Sequence, residues 1–200
     1  MLIINLIIAT YNGEKRIRKT LESLFEMQEH MSLSQNDWTI IISNNNSNDG
    51  TLQILNQFIG RLPIKVIDAP IPGKSMALNE ALKYIDSLLV AFTDDDVNVS
   101  RDWLLKLIEC ANQNPDYDVF GGRISGRWEK ELDQDLLSWF PIGSTYALHA
   151  EKIENKFAPD IIWGPNMMFR RKIFDLGYKF NELIGPSPDK WSTPIIESRV

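Results

Sequence analysis

Cysteine is all but missing from this chain. Cys110 is the only one in 200 residues, so no internal disulfide can form and the composition suits a reducing cytosol. The two histidines, His30 and His149, are far apart in sequence and far from Cys110, which excludes the usual nitrogen and sulfur ligand sets for zinc. Positive charge is in deficit as well: 21 Lys and Arg against 27 Asp and Glu leave a formal net charge of −6 and a pI near 5.0. Binding to a phosphate backbone needs a basic stripe, and none is present, so nucleic acid is not an expected partner. Long apolar runs are absent too. The opening residues, Met1-Leu2-Ile3-Ile4-Asn5-Leu6-Ile7-Ile8, lack a basic leader and are far too short to cross a bilayer. They read as a strand, and peripheral contact is the one membrane association left open.

Two phosphate-binding signatures are also missing. No G-x-G-x-x-G follows the first strand, which removes the dinucleotide-binding turn. Gly73-Lys74-Ser75 has the form of a P-loop tail, but Asp68 stands where that motif requires its first glycine.

What the chain does contain is a 44% hydrophobic composition, enough for one domain with a sizeable core, and a regular alternation of elements. A strand over residues 3–9 ends in the turn formers Thr10-Tyr11-Asn12-Gly13. A helix striped by Ile17, Leu21, Leu24 and Phe25 follows. A second strand over 38–43 stops at a run of asparagines, Asn44 to Asn46. Leu52, Leu55, Phe58 and Ile59 predict a helix, and residues 64–68 a third strand. The stiff loop Pro70-Ile71-Pro72-Gly73-Lys74 leads to a helix with Ser75 as its expected cap and Leu78, Ala81, Leu82 and Ile85 on its buried side. Four strand-helix alternations in the first hundred residues predict a mostly parallel sheet covered by helices on both faces. Further on, Trp103, Leu104, Leu107, Ile108 and Ala111 mark a helix that Ser100 is expected to cap, and residues 119–124 another strand. Residues 125–160 are aromatic and irregular, as a substrate-covering region would be, although buried aromatics are the commoner explanation. Residues 161–170 then lead to a short helix ending near Gly177.

The chain is organised around residues 88–97, where an apolar strand runs straight into Asp94-Asp95-Asp96. Like charges at one strand end repel, and the repulsion is relieved either by splaying into water or by a cation. A bare Asp run is ordinarily a solvated turn. Here the strand end is expected to meet the ends of the first two strands in a crevice beyond the sheet, where open α/β sheets bind ligands. Oxygen ligands of this kind select Mg²⁺ or Mn²⁺, ions that also bridge diphosphates. Lys74, on the same rim at a helix start, reads equally as a solvated lysine or as an anion contact.

Five segments, in this order, resemble glycosyltransferase family 2, the inverting enzymes of GT-A fold: residues 8–12, 45–51, 73–79, 92–96 and 164–171. The resemblance covers roughly residues 3–185. It implies one GT-A domain over 1–200, with a Rossmann-like central sheet, a nucleotide-sugar-binding half over 1–98, an acceptor-side half over 99–185 and a divergent tail over 186–200. By analogy, Thr10, Tyr11, Asn12 and Glu14 line the nucleotide pocket and Lys74 lies beside the base or phosphates. Asp94 lies near the ribose and joins Asp96 at the metal, Mn²⁺ or Mg²⁺, with Asp95 at the variable middle place of the D-x-D pattern. The family's usual aspartate against the base is Asn44 here, which donates hydrogen bonds as well as accepting them.

The implied reaction moves a sugar from a nucleotide sugar, a UDP-sugar by preference, to a glycan or lipid-linked acceptor, in the cytoplasm or at the inner face of the membrane. The family's Glu-Asp or Glu-x-Glu pattern that supplies the base after residue 185 is not found. Asp189 and Glu197 are the carboxylates nearby, and a truncated product is the expectation that follows. Two other readings stand beside this one: a nucleotide-sugar-binding protein with impaired catalysis, and a Mg²⁺-dependent phosphotransferase with an aspartate nucleophile.

Overall fold

The computed structural model describes residues 4–126, 139, 148–149 and 162–184. Strand β1, Ile4–Thr10, is buried along almost its whole length and sits at the middle of the sheet. It pairs in parallel with β2, Trp38–Asn44, on one side and with β4, Leu89–Asp94, on the other. β3, Ile64–Asp68, extends the sheet beyond β2. Strands covered on both faces read as continuous apolar runs rather than alternating ones, which is why β1, β2 and β4 stand out in the sequence. Two antiparallel strands complete the sheet: β5, Val119–Gly121, and β6, Met167–Arg170, in the order β3-β2-β1-β4-β6-β5.

Helices cover both faces. On one side α1, Ile17–Met31, α2, Thr51–Phe58, and α4, Trp103–Gln113, close a core that includes Leu6, Leu21, Leu24, Ile40, Phe58 and Leu104. On the other, α3, Lys74–Leu82, packs Leu78 and Ala81 against Ile7, Ile41 and Phe92. The short helix α5, Lys172–Asp175, follows β6. Its Phe174, with Phe169 and Phe180, surrounds Phe92 at centroid distances of 6.0, 5.7 and 5.3 Å, the edge-on packing that aromatic rings favour. Among the described residues no helix is long and apolar enough to cross a membrane.

Several local expectations change. In α2 the buried stripe is Thr51, Ile54, Leu55 and Phe58, while Leu52 and Ile59 are exposed; two neighbouring apolar stripes compete there, and packing selects the one that meets α1. Ser75 does not cap α3. Gly73 occupies the N-cap at φ 132°, and the Ser75 hydroxyl donates to the carbonyl of Ile184 at 2.8 Å. Ser100 is likewise displaced by Asp102 as the N-cap of α4, and donates to the Asp102 carboxylate at 2.9 Å. The strand expected over 119–124 ends at Gly121. The expected substrate-covering region falls almost wholly outside the described residues.

Candidate active site

The strand order reverses direction between β1 and β4: β2 and β3 lie to one side of β1, and β4 to the other. Such a switch opens a crevice at the carboxyl ends of the strands, where open α/β sheets bind their ligands. The crevice receives Thr10, Tyr11 and Asn12 from β1, Asn44 to Asp49 from β2, and Asp94, Asp95 and Asp96 from β4.

The three aspartates do different work. Asp94 accepts a hydrogen bond from Lys74 Nζ at 2.6 Å, on the α3 side of the sheet. Asp95 turns to the α1 side and is buried. Its carboxylate accepts from Thr10 Oγ1 at 2.6 Å and from Arg16 through both Nε, at 3.2 Å, and Nη2, at 3.1 Å. Those hydrogen bonds, with the charges of Asp95, Asp96 and Asp49 nearby, hold the Arg16 guanidinium still more firmly protonated. No hydrogen bond or ion pair reaches Asp96 among the described residues. Its side chain is exposed to solvent at the rim of the crevice. Desolvation, followed by the charges of Asp94 and Asp95, pushes its carboxyl above the usual carboxylate range, and Arg16 and Lys74 offset this only in part.

Around these acids the loops are tied by side-chain hydrogen bonds. Asn12, at φ 48°, accepts from the Asn48 N–H at 2.9 Å, while its own N–H donates to Ser47 Oγ at 3.0 Å. Thr51 Oγ1 accepts from the Gly13 N–H at 2.8 Å and donates to Asp49. Asp49 also accepts from the Thr51 N–H at 3.0 Å and from the Glu14 N–H at 3.1 Å. Glu14 returns the connection by accepting from the Gly50 N–H at 3.2 Å. Gly13 has no room for a side chain: a Cβ there would lie 2.7 Å from Asp95 Oδ2 and closer still to Thr10 Oγ1. Tyr11 keeps its ring exposed at the rim. Asn44 is buried and accepts from the Ser47 N–H at 3.3 Å.

Two residues that sequence reasoning did not single out prove central. Arg16 lay in a run of charged residues at a helix start, with nothing to mark which charge turns inward. Asn45, one of the asparagines at which the second strand stops, is buried and fully bonded, with Nδ2 donating to the carbonyls of Ala69 and Ile71, both at 2.7 Å, and Oδ1 accepting from the Gly73 N–H at 2.9 Å. Asn45 therefore shapes the loop that presents Lys74. Asn166, in the last of the five segments, accepts from Trp103 Nε1 at 2.8 Å and joins α4 to the chain at Arg123. Asp189 and Glu197 lie outside the described residues.

Among the described residues no three His, Cys, Asp or Glu side chains are grouped as a ready-made metal cage. The donor set still suits a hard divalent ion. Mg²⁺ and similar ions are commonly held by one or two carboxylates, with substrate phosphates and water completing the shell. Asp96, exposed and without a hydrogen bond or ion pair among the described residues, leaves its carboxylate oxygens open to a cation.

A mostly parallel sheet with a carboxylate-lined crevice at its switch point, flanked by helices and finished by antiparallel strands, is a GT-A fold. The profile of glycosyl transferase family 2 matches residues 5–177, and the chain belongs to that family. Similar sequences include the poly-β-1,6-N-acetyl-D-glucosamine synthase of Staphylococcus epidermidis, 31% identical over 113 residues, which are 56% of this chain and 26% of that protein. The poly(ribitol-phosphate) β-glucosyltransferase of Bacillus spizizenii is 27% identical over 126 residues, 62% of this chain and 19% of that protein. The chain thus aligns with about a quarter or less of these relatives' length. Among solved structures, residues 1–349 of Staphylococcus aureus TarS superpose with a TM-score of 0.68 at 22% identity, covering 92% of this chain and 52% of that one. The mannosyltransferase PcManGT of Pyrobaculum calidifontis, solved with GDP-Man and Mn²⁺, superposes at 0.64 and 19% identity, covering 90% and 47%.

Proposed function

We propose that this chain binds a nucleoside-diphosphate sugar, a UDP-sugar by preference, in the crevice at the ends of β1, β2 and β4, and transfers the sugar with inversion to a glycan or lipid-linked acceptor. The observation that carries the reading is the division of labour among the aspartates: Asp95 is bonded inward to Arg16 and Thr10, Asp94 meets Lys74, and Asp96 has no hydrogen bond or ion pair among the described residues. An arrangement that only needed a stable turn would gain nothing from the unpaired third charge. Family membership supports the chemistry, and the β-linked N-acetylglucosamine and glucose that the relatives are named for support inversion at the sugar. A TarS structure solved with UDP-GlcNAc supports the donor class, and the Mn²⁺ in the mannosyltransferase supports the ion.

In this reading Asp94 and Asp96 hold Mn²⁺ or Mg²⁺, which when bound stabilises the negative charge that develops on the departing diphosphate. Lys74 adds positive charge on the same side, and its ammonium exchanges part of its contact with Asp94 for the donor's phosphates. Asn44 and Tyr11 border the place of the base, while Asn12 and Glu14 keep the neighbouring loop in shape. Asp95, held by Arg16 and Thr10, fixes the direction in which its two neighbours leave the strand. The acceptor hydroxyl must lose a proton as it attacks from the opposite face of the sugar, so a base is required there. The reaction belongs in the cytoplasm or at the inner face of the membrane, where a lipid-linked acceptor would be met.

The test is a thermal-shift panel of UDP, GDP, CDP and dTDP sugars with and without Mn²⁺. A ligand that binds only the folded state at about 100 times its Kd stabilises that state by about 2.7 kcal/mol. The rise is expected with Mn²⁺ alone among the two conditions and is absent in Asp96→Ala; an unchanged rise in that variant would remove Asp96 from the metal. Transfer to any acceptor separates an active enzyme from a binding-only protein, and a trapped aspartyl-phosphate would replace the reading by phosphotransfer.

A further inference from the structure

The helix that brings Lys74 to Asp94 also holds a second segment, and the proposed function makes no use of that contact. Asn79, buried one turn and more along α3, uses its whole side-chain amide on residues 180–182. Its Oδ1 accepts from the Phe180 N–H at 2.9 Å, and its Nδ2 donates to the Phe180 carbonyl at 2.9 Å and to Glu182 Oε1 at 3.0 Å. An amide that pairs with both the N–H and the C=O of one residue acts as a neighbouring strand would: it fixes register as well as proximity. The register matters because Phe180 packs edge-on to Phe92 of β4 at 5.3 Å. A slip of one residue would replace that ring by Lys179 or Asn181. At the far end, Ser75 Oγ donates to the Ile184 carbonyl at 2.8 Å, so the segment arrives one residue from Lys74.

Among the described residues the segment has few other supports. Between it, the loop at Ala69 to Ile71 and the outer side of α3 lies a cavity of about 260 Å³, bordered by Lys83, Lys179 and Glu182. Leu183 and Ile184 are exposed. Its position therefore depends on Asn79, Ser75 and the Phe180 ring.

We propose that Asn79 is a positioning residue of the donor site: it locks residues 178–184 in register along α3, so that this segment and Lys74 move as one wall of the crevice. Nucleotide binding at Lys74 then steadies the segment, and a loosened segment no longer responds to the nucleotide. This rests on the reading of the crevice as a donor site, and the experiment separates the two.

Backbone amide exchange is followed in the full chain, wild type, Asn79→Ala and Glu182→Ala, with and without UDP and Mn²⁺; peptides from 89–94 report whether the core remains folded. With no ligand, Asn79→Ala is expected to exchange about tenfold faster or more across 178–184 at unchanged rates over 89–94, since one buried amide loses three bonds. Glu182→Ala, which removes only one bond and lies at the surface, shows a smaller increase in the same direction. Adding UDP and Mn²⁺ slows exchange over 178–184 in the wild type and not in Asn79→Ala, although both variants still gain thermal stability from the ligand. Wild-type exchange over 178–184 in Asn79→Ala, or equal ligand protection of that segment in both proteins, overturns the proposal. If faster exchange spreads to 89–94, the Glu182→Ala protein decides, and unchanged exchange over 178–184 there overturns it too. Should the wild type show no UDP response at all, the donor-site reading fails, and with it the coupling to Lys74; the exchange without ligand still reports whether Asn79 holds the segment.

Discussion

A carboxylate as deeply placed as Asp95 tolerates its charge only while its partners stay bonded to it. Arg16 supplies two of the three hydrogen bonds, and the side chains are 43% and 10% exposed for Arg16 and Asp95. Removing the arginine leaves a nearly buried charge with a single hydroxyl. The expected loss for Arg16→Ala is about 1–3 kcal/mol of unfolding free energy, below the range for fully buried pairs because the guanidinium is partly solvated. Urea denaturation measures it, and Asp95→Asn in the same background should recover part of the loss. A change under about 0.5 kcal/mol would reduce the pair to an ordinary surface contact. None of this is legible in the sequence, where Arg16 stands among Glu14, Lys15, Arg18 and Lys19 without distinction. Thr10, Lys74 and the three aspartates were legible as a group because each ends or follows an element whose hydrophobic pattern sets its place. Which aspartate turns inward depends on contacts 79 and 85 residues away in sequence, from Arg16 and Thr10.

At the scale of elements, loops between β-strands and the following helices depend on single polar side chains that meet several backbone groups at once. Asn45 bonds two carbonyls and one N–H of the 69–73 loop. Asn45→Ala leaves those groups without partners in a buried setting, an expected cost of about 1–3 kcal/mol. It should also weaken the ligand-induced thermal shift, because Lys74 follows Gly73 directly; a lost stability with an intact shift would show that the loop keeps its shape unaided. The turn before α2 adds a pH dependence. Burial works against the ionised Asp49, but its bonds from Thr51 and from the Glu14 and Thr51 N–H groups outweigh that and hold its carboxyl below the usual range. A folded-state value below the unfolded one means that the unfolded chain binds more protons in the interval between them, so stability rises with pH there and is lost as pH falls through the folded value. Below about pH 4, unfolding of Asp49→Asn should therefore respond less steeply to acid than that of the wild type, as read by urea midpoints at several pH values. The elements themselves were mostly visible in advance: β1, β2 and β4 are apolar runs bounded by turn formers, and β3 is a short strand in which Ile64, Val66 and Ile67 are interrupted by the exposed Lys65. β6 was not recognised as a strand, because Met167, Met168 and Phe169 give no alternation, and their pairing with β4 and β5 joins segments far apart in the chain. The phase of α2 was misjudged where Leu52 and Ile54 offer rival stripes.

For the whole molecule, the crevice sets stability against ligand affinity. Asp96 carries a charge that its surroundings disfavour: desolvation and two neighbouring carboxylates push its carboxyl up, and no hydrogen bond or ion pair among the described residues compensates it. Ligand-free, the protein bears that repulsion; with a dication in place the same charge becomes an attraction. Asp96→Asn keeps the shape and removes the charge. It should make the ligand-free protein slightly more stable, by roughly 0.5 kcal/mol or less, because solvent screens the repulsion at an exposed carboxylate. It should also remove the additional stability that Mn²⁺ with a UDP-sugar gives the wild type, so that the order of melting temperatures reverses when ligand is added. Differential scanning measurements of both proteins, each with and without ligand, test this directly. A ligand-free Asp96→Asn protein less stable than the wild type would mean that the carboxylate is held by favourable contacts and that the crevice carries no unrelieved charge. A variant stabilised in both conditions, with the ligand response intact, would place the dication elsewhere and leave Asp96 as a source of strain alone.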